Sequence, residues 1–349
     1  MTDRPPWGRR DVLRLGAAAL VGGAGFLAGC HSSNPAAPSG GGSGLKPVNI
    51  VNTASNNTYT LQELLNELGY LRDFGLQANT VNVADGSKLI GALLSGSSDI
   101  CILAGFGQVL PAIEKGGKLK VLAGAGLLDE HAIYSAKPDI RKIKDLEGKT
   151  VATGSPGALL HQLVVAVLHK KGVDIKKVTF VNVGSSADVF RAVVAKTVDA
   201  GPALSDVYDQ QAKYGVHSLA DGNLWDELPE FTYQGSFTST QAIAEKRDVL
   251  VRTLAAYGKL YRYVQSPDSK DVFIRARVAA LNNTDLLEGE SEWKFIQTHK
   301  PYDVDLVLSE DRIRYMQNLN LELGVQQNSL SFDQIADMSL ARDAVKLLA

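Results

Sequence analysis

The pattern of apolar and polar positions changes character along this chain. Up to about residue 204, short apolar runs alternate with amphipathic segments, whereas beyond Glu245 only helical periodicity remains. The predicted strands cover 48–53, 100–104, 119–125, 150–153, 178–183 and 200–204. The predicted helices cover 59–69, 106–115, 156–171, 245–264, 270–281, 290–297, 309–323 and 332–348. Alternating strands and helices predict an α/β protein, here with a helical C-terminal tail.

Two segments, 81–100 and 181–200, align without gaps at an offset of 100 residues. Both begin with Val-Asn-Val, and both contain an aspartate at the penultimate position, Asp99 or Asp199. Each predicts a strand, an amphipathic helix and a second strand, the unit that favours a parallel sheet with a right-handed crossover. The two copies predict two α/β lobes.

The first thirty residues have the features of an export signal. Paired arginines, Arg9 and Arg10, precede a short apolar run and the segment Leu-Ala-Gly-Cys, which ends at Cys30. The arginine pair resembles the twin-arginine export pattern, although a lipoprotein exported by the Sec route would look similar. The segment that ends at Cys30 resembles a lipobox. We therefore expect cleavage after residue 29, lipidation of Cys30, and a periplasmic or extracytoplasmic protein anchored to a membrane by lipid.

Composition and charge exclude some classes of binding partner and predict a linker. Residues 30–47 are rich in Ser, Gly and Pro and predict a disordered linker. Removing residues 1–29 takes away four arginines and two aspartates, so the net charge moves from −2 to −4, which argues against a nucleic-acid partner. With Cys30 lipidated, Cys101 has no disulfide partner, and its apolar surroundings predict a buried thiol.

Several segments together resemble one family. They are Gly-Tyr-Leu-Arg-Asp-Phe-Gly-Leu at 69–76, Ala-Leu-Leu-Ser-Gly-Ser-Ser-Asp-Ile at 92–100, Ile-Lys-Asp-Leu-Glu-Gly-Lys-Thr-Val at 143–151 and Val-Asp-Ala at 198–200. Over residues 48–265 the chain is similar to periplasmic substrate-binding proteins of ABC importers, of the nitrate/sulfonate/taurine and thiamine-pyrimidine-precursor type.

The resemblance implies a bilobed, type II-like periplasmic-binding-protein fold with a helical C-terminal tail. Two crossover strands would join lobe I, at 48–135 and 236–349, to lobe II, at 136–235. We expect hinges near 134–138 and 231–239, and a ligand held in the cleft between the lobes. The chain would bind a small organic solute or oxyanion and deliver it to an ABC permease in the membrane.

The ends of the predicted strands locate a candidate site independently, because ligands of α/β sheets bind beyond the carboxyl ends of the strands. The candidate ligand-binding residues are Asn56, Asn57, Tyr59, Gly105, Phe106, Gln108, Ser155, Pro156, Gly157, Ala158, Ser185, Ser186, Asp206 and Tyr233. Simpler roles stay open for some: Phe106 could pack in the core, the asparagines could serve turns, the tyrosines could pack, and Asp206 could cap a helix or pair with a ligand amine.

The turn at 154–158 is the strongest candidate among these loops. Ser155 can cap the following helix, and Pro156 fits the first helical position. Gly157 would let a polar or anionic ligand group approach the free N–H groups of the helix start. On this interpretation, valine at Gly157 should weaken binding while the fold tolerates it.

No catalytic motif stands out, and the histidines form no i, i+4 pair. The candidate loops carry no Lys or Arg, so a neutral or aromatic ligand has the same weight as an anion. We expect a monomer without enzymatic activity, cofactor or metal. Two alternatives remain: a ligand-sensing lipoprotein, or an enzyme on the same fold of the pyrimidine-precursor or menaquinone-pathway type. The pyrimidine synthases carry a cysteine-rich motif that two cysteines cannot supply.

Overall fold

A computed structural model describes residues 44–84, 86–282 and 286–349 of the chain. The predicted signal, Cys30 and most of the predicted linker lie outside these residues. The strands are β1 Lys46–Thr53, β2 Leu76–Val83, β3 Cys101–Ala104, β4 Leu119–Gly124, β5 His131–Ser135, β6 Thr150–Thr153, β7 Thr179–Asn182, β8 Gly201–Leu204, β9 His217–Asn223 and β10 Gly235–Ser239.

The helices of the first part of the chain are α1 Asn56–Glu67, α2 Tyr70–Asp73, α3 Gly86–Leu94, α4 Phe106–Glu114, α5 Leu159–Lys170, α6 Ser186–Val194, α7 Gln211–Tyr214 and α8 Leu224–Glu227. Those of the C-terminal part are α9 Thr240–Val264, α10 Lys270–Leu281, α11 Leu286–His299, α12 Glu310–Glu322, α13 Phe332–Ile335 and α14 Ser339–Lys346. Within the described residues, no helix is both long and apolar enough to cross a membrane.

The strands form two sheets of the same design. In the first, β1 pairs in parallel with β2, a parallel bridge from Ile50 to Ile100 leads to β3, and β10 runs antiparallel between β3 and β4. In the second, β6 pairs in parallel with β7, a bridge from Val151 to Ala200 leads to β8, and β5 runs antiparallel between β8 and β9. The orders are therefore β2-β1-β3-β10-β4 and β7-β6-β8-β5-β9.

The 100-residue repeat corresponds to equivalent elements in the two sheets. It aligns α3 with α6 and β3 with β8, as the sequence predicts. Asp99 Oδ2 accepts a hydrogen bond from the Asn49 amide at 2.8 Å, and Asp199 Oδ2 accepts one from the Thr150 amide at 2.7 Å. Each aspartate also pairs with a lysine, Lys246 or Lys137 respectively. Each half thus holds its inner parallel strand, β1 or β6, with an equivalent aspartate.

Two segments connect the first sheet to the second. The chain passes from β4 of the first sheet to β5 of the second through residues 125–130, and it returns to β10 through residues 228–234. The hydrogen bonds of β5 to β8 and β9 favour a first crossing just before His131, whereas the sequence suggests one near 134–138. The lobe boundaries at 135/136 and 235/236 stay a prediction.

A turn and a helix break change two of the predicted helices. The helix predicted at 156–171 begins only at Leu159, because residues 154–158 form a turn. The helix predicted at 332–348 is two helices, α13 and α14, since Ala336 between them has extended backbone angles and forms a bridge with Val121. The predicted burial of Cys101 in a strand is confirmed.

Candidate functional site

Polar side chains collect at the amino end of β5. Asp129, Glu130 and His131 are each at most 1% exposed. Because β5 runs antiparallel to β8, with His131 opposite Leu204, its amino end lies at the same edge as the carboxyl end of β8. Residues 129–131 therefore lie at the same edge of the second sheet that the strand-end rule selects.

Four buried carboxyl groups, Asp129, Glu130, Asp206 and Glu292, form what we call the acidic cluster. Arg277 of α10 is its guanidinium partner. Its Nη2 donates to Asp206 Oδ2 at 2.7 Å, and its Nη1 donates to Glu292 Oε2. Burial raises the pKa of Glu292 to about 7, although the charge of Arg277 acts in the opposite direction. The helical tail thus supplies Arg277, which pairs with Asp206 in the loop after β8, and Glu292, which pairs with the same guanidinium.

Glu130 accepts a hydrogen bond from a neutral side chain and has other carboxyl groups nearby. Asn57 Nδ2 donates to Glu130 Oε1 at 3.1 Å, and the Tyr302 hydroxyl donates to Asn57 Oδ1 at 2.9 Å. Burial and the negative charges of Glu292 and Asp129 raise the pKa of Glu130 well above its usual range. Burial and Glu130 also raise the pKa of Tyr233 well above its usual range, so its phenol stays protonated.

A second chain of polar contacts joins Asp129, His131 and Ser186. His131 Nδ1 lies 2.9 Å from Asp129 Oδ1, and Nε2 lies 3.1 Å from Ser186 Oγ. Because a carboxylate accepts hydrogen bonds, this geometry assigns the ring proton to Nδ1 and lets Nε2 accept the Ser186 hydroxyl. Ser186 is the first residue of α6, whose cap is the neighbouring Ser185. A carboxylate, an imidazole and a hydroxyl in this order can also activate a nucleophile.

The turn at 154–158 does not have the predicted geometry. Ser155 does not cap α5; it is exposed and accepts a hydrogen bond from Asn182. Pro156 lies outside the helix. Ala158 is the N-cap residue of α5, and no side chain of the described residues caps the helix there. Gly157 has φ +76°, and its N–H donates to His161 Nδ1 at 3.1 Å. The prediction that this turn binds the ligand stays a prediction, whereas the prediction that Ser155 caps α5 is wrong.

The starts of α4 and α5 approach each other closely. A Cβ atom at Gly107 would lie 2.4 Å from the Gly157 carbonyl oxygen, and one at Gly105 would lie 3.6 Å from Leu159. The contact at Gly107 leaves no room for a side chain, whereas 3.6 Å at Gly105 is ordinary van der Waals contact. Phe106 is fully buried and packs edge-to-face on Phe237, so its core interpretation is correct.

The structure brings some of the predicted residues together and leaves others apart. Asn57, Ser186, Asp206 and Tyr233 surround residues 129–131, and the Tyr233 ring lies 5.7 Å from that of His131. Asp206 neither caps its helical turn nor stands free for a ligand amine, because Arg277 holds it. Among the described residues, the remaining candidates form no hydrogen bond, ion pair or ring contact with this group: Asn56, Tyr59, Gly105, Phe106, Gln108, Ser155, Pro156, Gly157, Ala158 and Ser185.

Six residues of the candidate site are not among the residues predicted from the sequence: Asp129, Glu130, His131, Arg277, Glu292 and Tyr302. The rule of strand carboxyl ends passes over the first three, because they precede an antiparallel strand. The signal available for them was a run of three ionisable residues directly before the apolar strand at 132–134. No group of three or more His, Cys, Asp or Glu side chains among the described residues could hold a metal ion.

Comparisons with known proteins agree with this architecture. The structure of the alkanesulfonate-binding protein SsuA from Xanthomonas axonopodis pv. citri, bound to MOPS, is 18% identical, with a TM-score of 0.67 over 83% of this chain and 97% of that one. The periplasmic nitrate-binding protein NrtA from Synechocystis PCC 6803 is 12% identical, with a TM-score of 0.66 over 87% and 89%. The desulfurization enzyme DSZB is 13% identical, with a TM-score of 0.60 over 86% and 100%. These likenesses define a periplasmic-binding-protein fold, as predicted.

The family follows from the sequence itself. The model of the family described as NMT1/THI5 like matches residues 64–269, which is more than half of the chain. The chain therefore belongs to the NMT1/THI5-like family, and the resemblance drawn from its segments is confirmed. A search of curated protein sequences finds no match.

Proposed function

We propose that this chain is the solute-binding lipoprotein of an ABC importer. The observation that carries the proposal is the buried polar site where the edges of the two sheets meet, with side chains from β5, α1 and the helical tail. Buried polar groups converging between two sheets suit the capture of a small polar molecule. Family membership and the fold support the same role.

Ligand binding should be measurable as thermal stabilisation. A ligand that binds only the native state stabilises it by about 2.7 kcal/mol at a hundred times its Kd. For a chain of this size we expect the melting temperature to rise by roughly 4 °C. The screen should cover sulfonates, nitrate, pyrimidines and aromatic carboxylates, with native mass spectrometry of the purified protein to find a retained ligand.

A matched pair of variants connects that shift to the site. Asn57→Ala should reduce the ligand-induced shift, because Asn57 joins Glu130 to Tyr302. Asn79→Ala should leave it unchanged, because Asn79 is exposed on β2 and bonds only to Asn49 among the described side chains. An equal loss of the shift in both variants, or in neither, would move the binding site elsewhere.

Membrane attachment forms a second part of the proposal and depends on Cys30, which lies outside the described residues. Cys30→Ser should move the protein from the membrane fraction to the soluble fraction without changing its melting temperature, because Cys30 precedes a predicted linker. Cys101→Ala is the control: it removes the other cysteine, inside β3, and should leave the protein in the membrane fraction. A Cys30→Ser protein that stays in the membrane fraction would refute the lipid anchor.

An enzyme on the same fold is the second candidate, favoured by the chain of Asp129, His131 and Ser186. Nucleophilic catalysis would require Ser186 Oγ to attack a bound substrate while His131 takes its proton. The ligand screen separates the two functions when each bound compound is checked for conversion. Turnover that disappears in Ser186→Ala would support the enzyme, and binding without turnover supports the solute-binding protein.

A further inference from the structure

Glu130 differs from the other carboxyl groups of the acidic cluster. Asp129 pairs with His131, and Asp206 and Glu292 share Arg277. Glu130 forms no ion pair with any residue in the described part of the chain, and the charged groups that act on it are the acidic Glu292, Asp129 and Asp206. Four carboxyl groups thus face one guanidinium and one imidazole, and Glu130 is the carboxyl group that neither of them pairs with.

A second unsatisfied group stands beside it. His131 is opposite Leu204 in the pairing of β5 with β8, and the Ser205 amide donates to the Glu130 carbonyl at 2.8 Å. Ser205 therefore lies opposite Glu130, one position beyond the ends of β8 and β5, where this backbone hydrogen bond continues the antiparallel pairing. Directly opposite residues in such a pairing share a face. Ser205 is 3% exposed, and its Oγ has no hydrogen-bond partner among the described residues. A buried hydroxyl without a partner is unfavourable, so this position lacks a polar group that could bind it.

The two observations define the chemistry of the missing group. A buried carboxylate without a cation is unfavourable and is stabilised by a positive charge. An ammonium group carries a positive charge and three N–H donors, so it can satisfy the Glu130 carboxylate and the Ser205 hydroxyl together. An oxyanion at the same position would meet the negative charge of the acidic cluster.

We propose that Glu130 and Ser205 hold the protonated amino group of the solute, so that the ligand is an organic amine or an amino acid-like compound. This inference rests on the proposed solute-binding function and names its ligand class. Glu130 is 1% exposed, so the ammonium group would be enclosed in the complex.

Matched probes test the inference. The pairs are 3-aminopropanesulfonate with propanesulfonate, 4-aminobutanoate with butanoate, and benzylamine with benzyl alcohol, measured by isothermal titration calorimetry. We expect at least one amine to bind at least tenfold more tightly than its partner. Glu130→Gln should remove that preference, and Ser205→Ala should reduce it. Glu245→Gln is the control, since Glu245 is exposed on α9, and it should leave the preference unchanged.

Proton release gives a separate readout. Burial and the negative charges of Glu292 and Asp129 raise the pKa of Glu130, which favours the protonated carboxyl group before a ligand arrives. Asp206, Tyr233 and Tyr302 also face this group, and the two tyrosines remain protonated. An arriving ammonium group should displace the proton, so the binding enthalpy should differ between phosphate and Tris buffers of equal pH. The difference should vanish in Glu130→Gln.

The outcomes separate this inference from the proposed function. Propanesulfonate or butanoate binding as tightly as its amino counterpart would overturn the ammonium site and leave solute binding intact. Equal amine affinity in wild type and Glu130→Gln would do the same. If no member of any pair binds, the inference fails, whereas the proposed function fails only if the broader thermal-shift screen also finds no ligand.

Discussion

Replacing Arg277 with methionine should lower the free energy of unfolding by about 3–5 kcal/mol. The Arg277 side chain is 4% exposed and serves two carboxylates, Asp206 and Glu292, that are themselves buried. Methionine keeps much of the apolar volume but leaves both carboxylates without their cation. Denaturant unfolding and thermal melting should report the loss, the latter as a fall of about 5–8 °C.

The same helix provides the control. Arg275 lies two residues earlier on α10, and its side chain is 60% exposed in an ion pair with Glu67. Arg275→Met should change stability by about 0.5 kcal/mol or less, because exposed ion pairs contribute little. Equal losses in the two variants would contradict the buried-pair argument. Adding Asp206→Asn and Glu292→Gln to Arg277→Met should restore part of the stability, since the unpaired charges are then gone.

The deficit of Arg277→Met should also depend on pH. Burial already raises the pKa of Glu292 to about 7, and removing Arg277 takes away the charge that opposes this shift. A carboxyl group whose pKa is raised in the folded state stabilises the fold at low pH, and that stability is lost as the pH rises through the folded-state pKa. The variant should therefore lose less stability relative to wild type at pH 5 than at pH 8.

Gly157→Val should destabilise the fold by about 2–5 kcal/mol, which reverses the expectation from the sequence. Gly157 has φ +76°, and a Cβ atom there would lie 2.8 Å from Val325 Cγ1. A β-branched residue at positive φ costs on the order of 1–3 kcal/mol, and overpacking adds a similar amount. The sequence-based expectation is wrong because Gly157 precedes α5 in a left-handed turn and is not part of its first helical turn.

Alanine substitutions separate the two contributions. Gly172 also has positive φ, +66°, but no described atom lies within 4 Å of a Cβ atom built there. Gly172→Ala should therefore show only the backbone cost, about 1 kcal/mol, whereas Gly157→Ala adds the contact with Val325. Denaturant unfolding of both variants measures the difference. Equal losses would show that Val325 moves aside without cost.

Local patterns predicted most of the fold because they depend on neighbouring residues. The strand at 150–153 and the helix at 270–281 have the same bounds in the sequence analysis and in the structure. The repeat likewise identified corresponding elements of both sheets. The insertion of β5 and β10 as antiparallel strands could not be predicted, because it depends on pairings between residues far apart in sequence.

The site was predicted only in its second-sheet and α1 portions. Asn57, Ser186 and Asp206 lie in or near loops that the strand-end rule selects, and Tyr233 lies in the hinge segment predicted at 231–239. Arg277 and Glu292 come from the helical tail, where the sequence pattern does not indicate which elements the helices pack against. One signal was available. Arg277 follows Phe273 and Ala276 on the buried side of α10, and a charged residue on an apolar helical face calls for a buried partner.

The topology of the two sheets has a consequence for the order of folding. The bonds from Asp99 to Asn49 and from Asp199 to Thr150 span 50 and 49 residues, so the two halves begin with nearly equal loop-closure entropy. The second sheet is built from the uninterrupted segment 131–223, whereas the first is completed only by β10, more than a hundred residues after β4. During synthesis on the ribosome, we therefore expect the half encoded later to finish its sheet first, while the earlier half waits with an open position between β3 and β4.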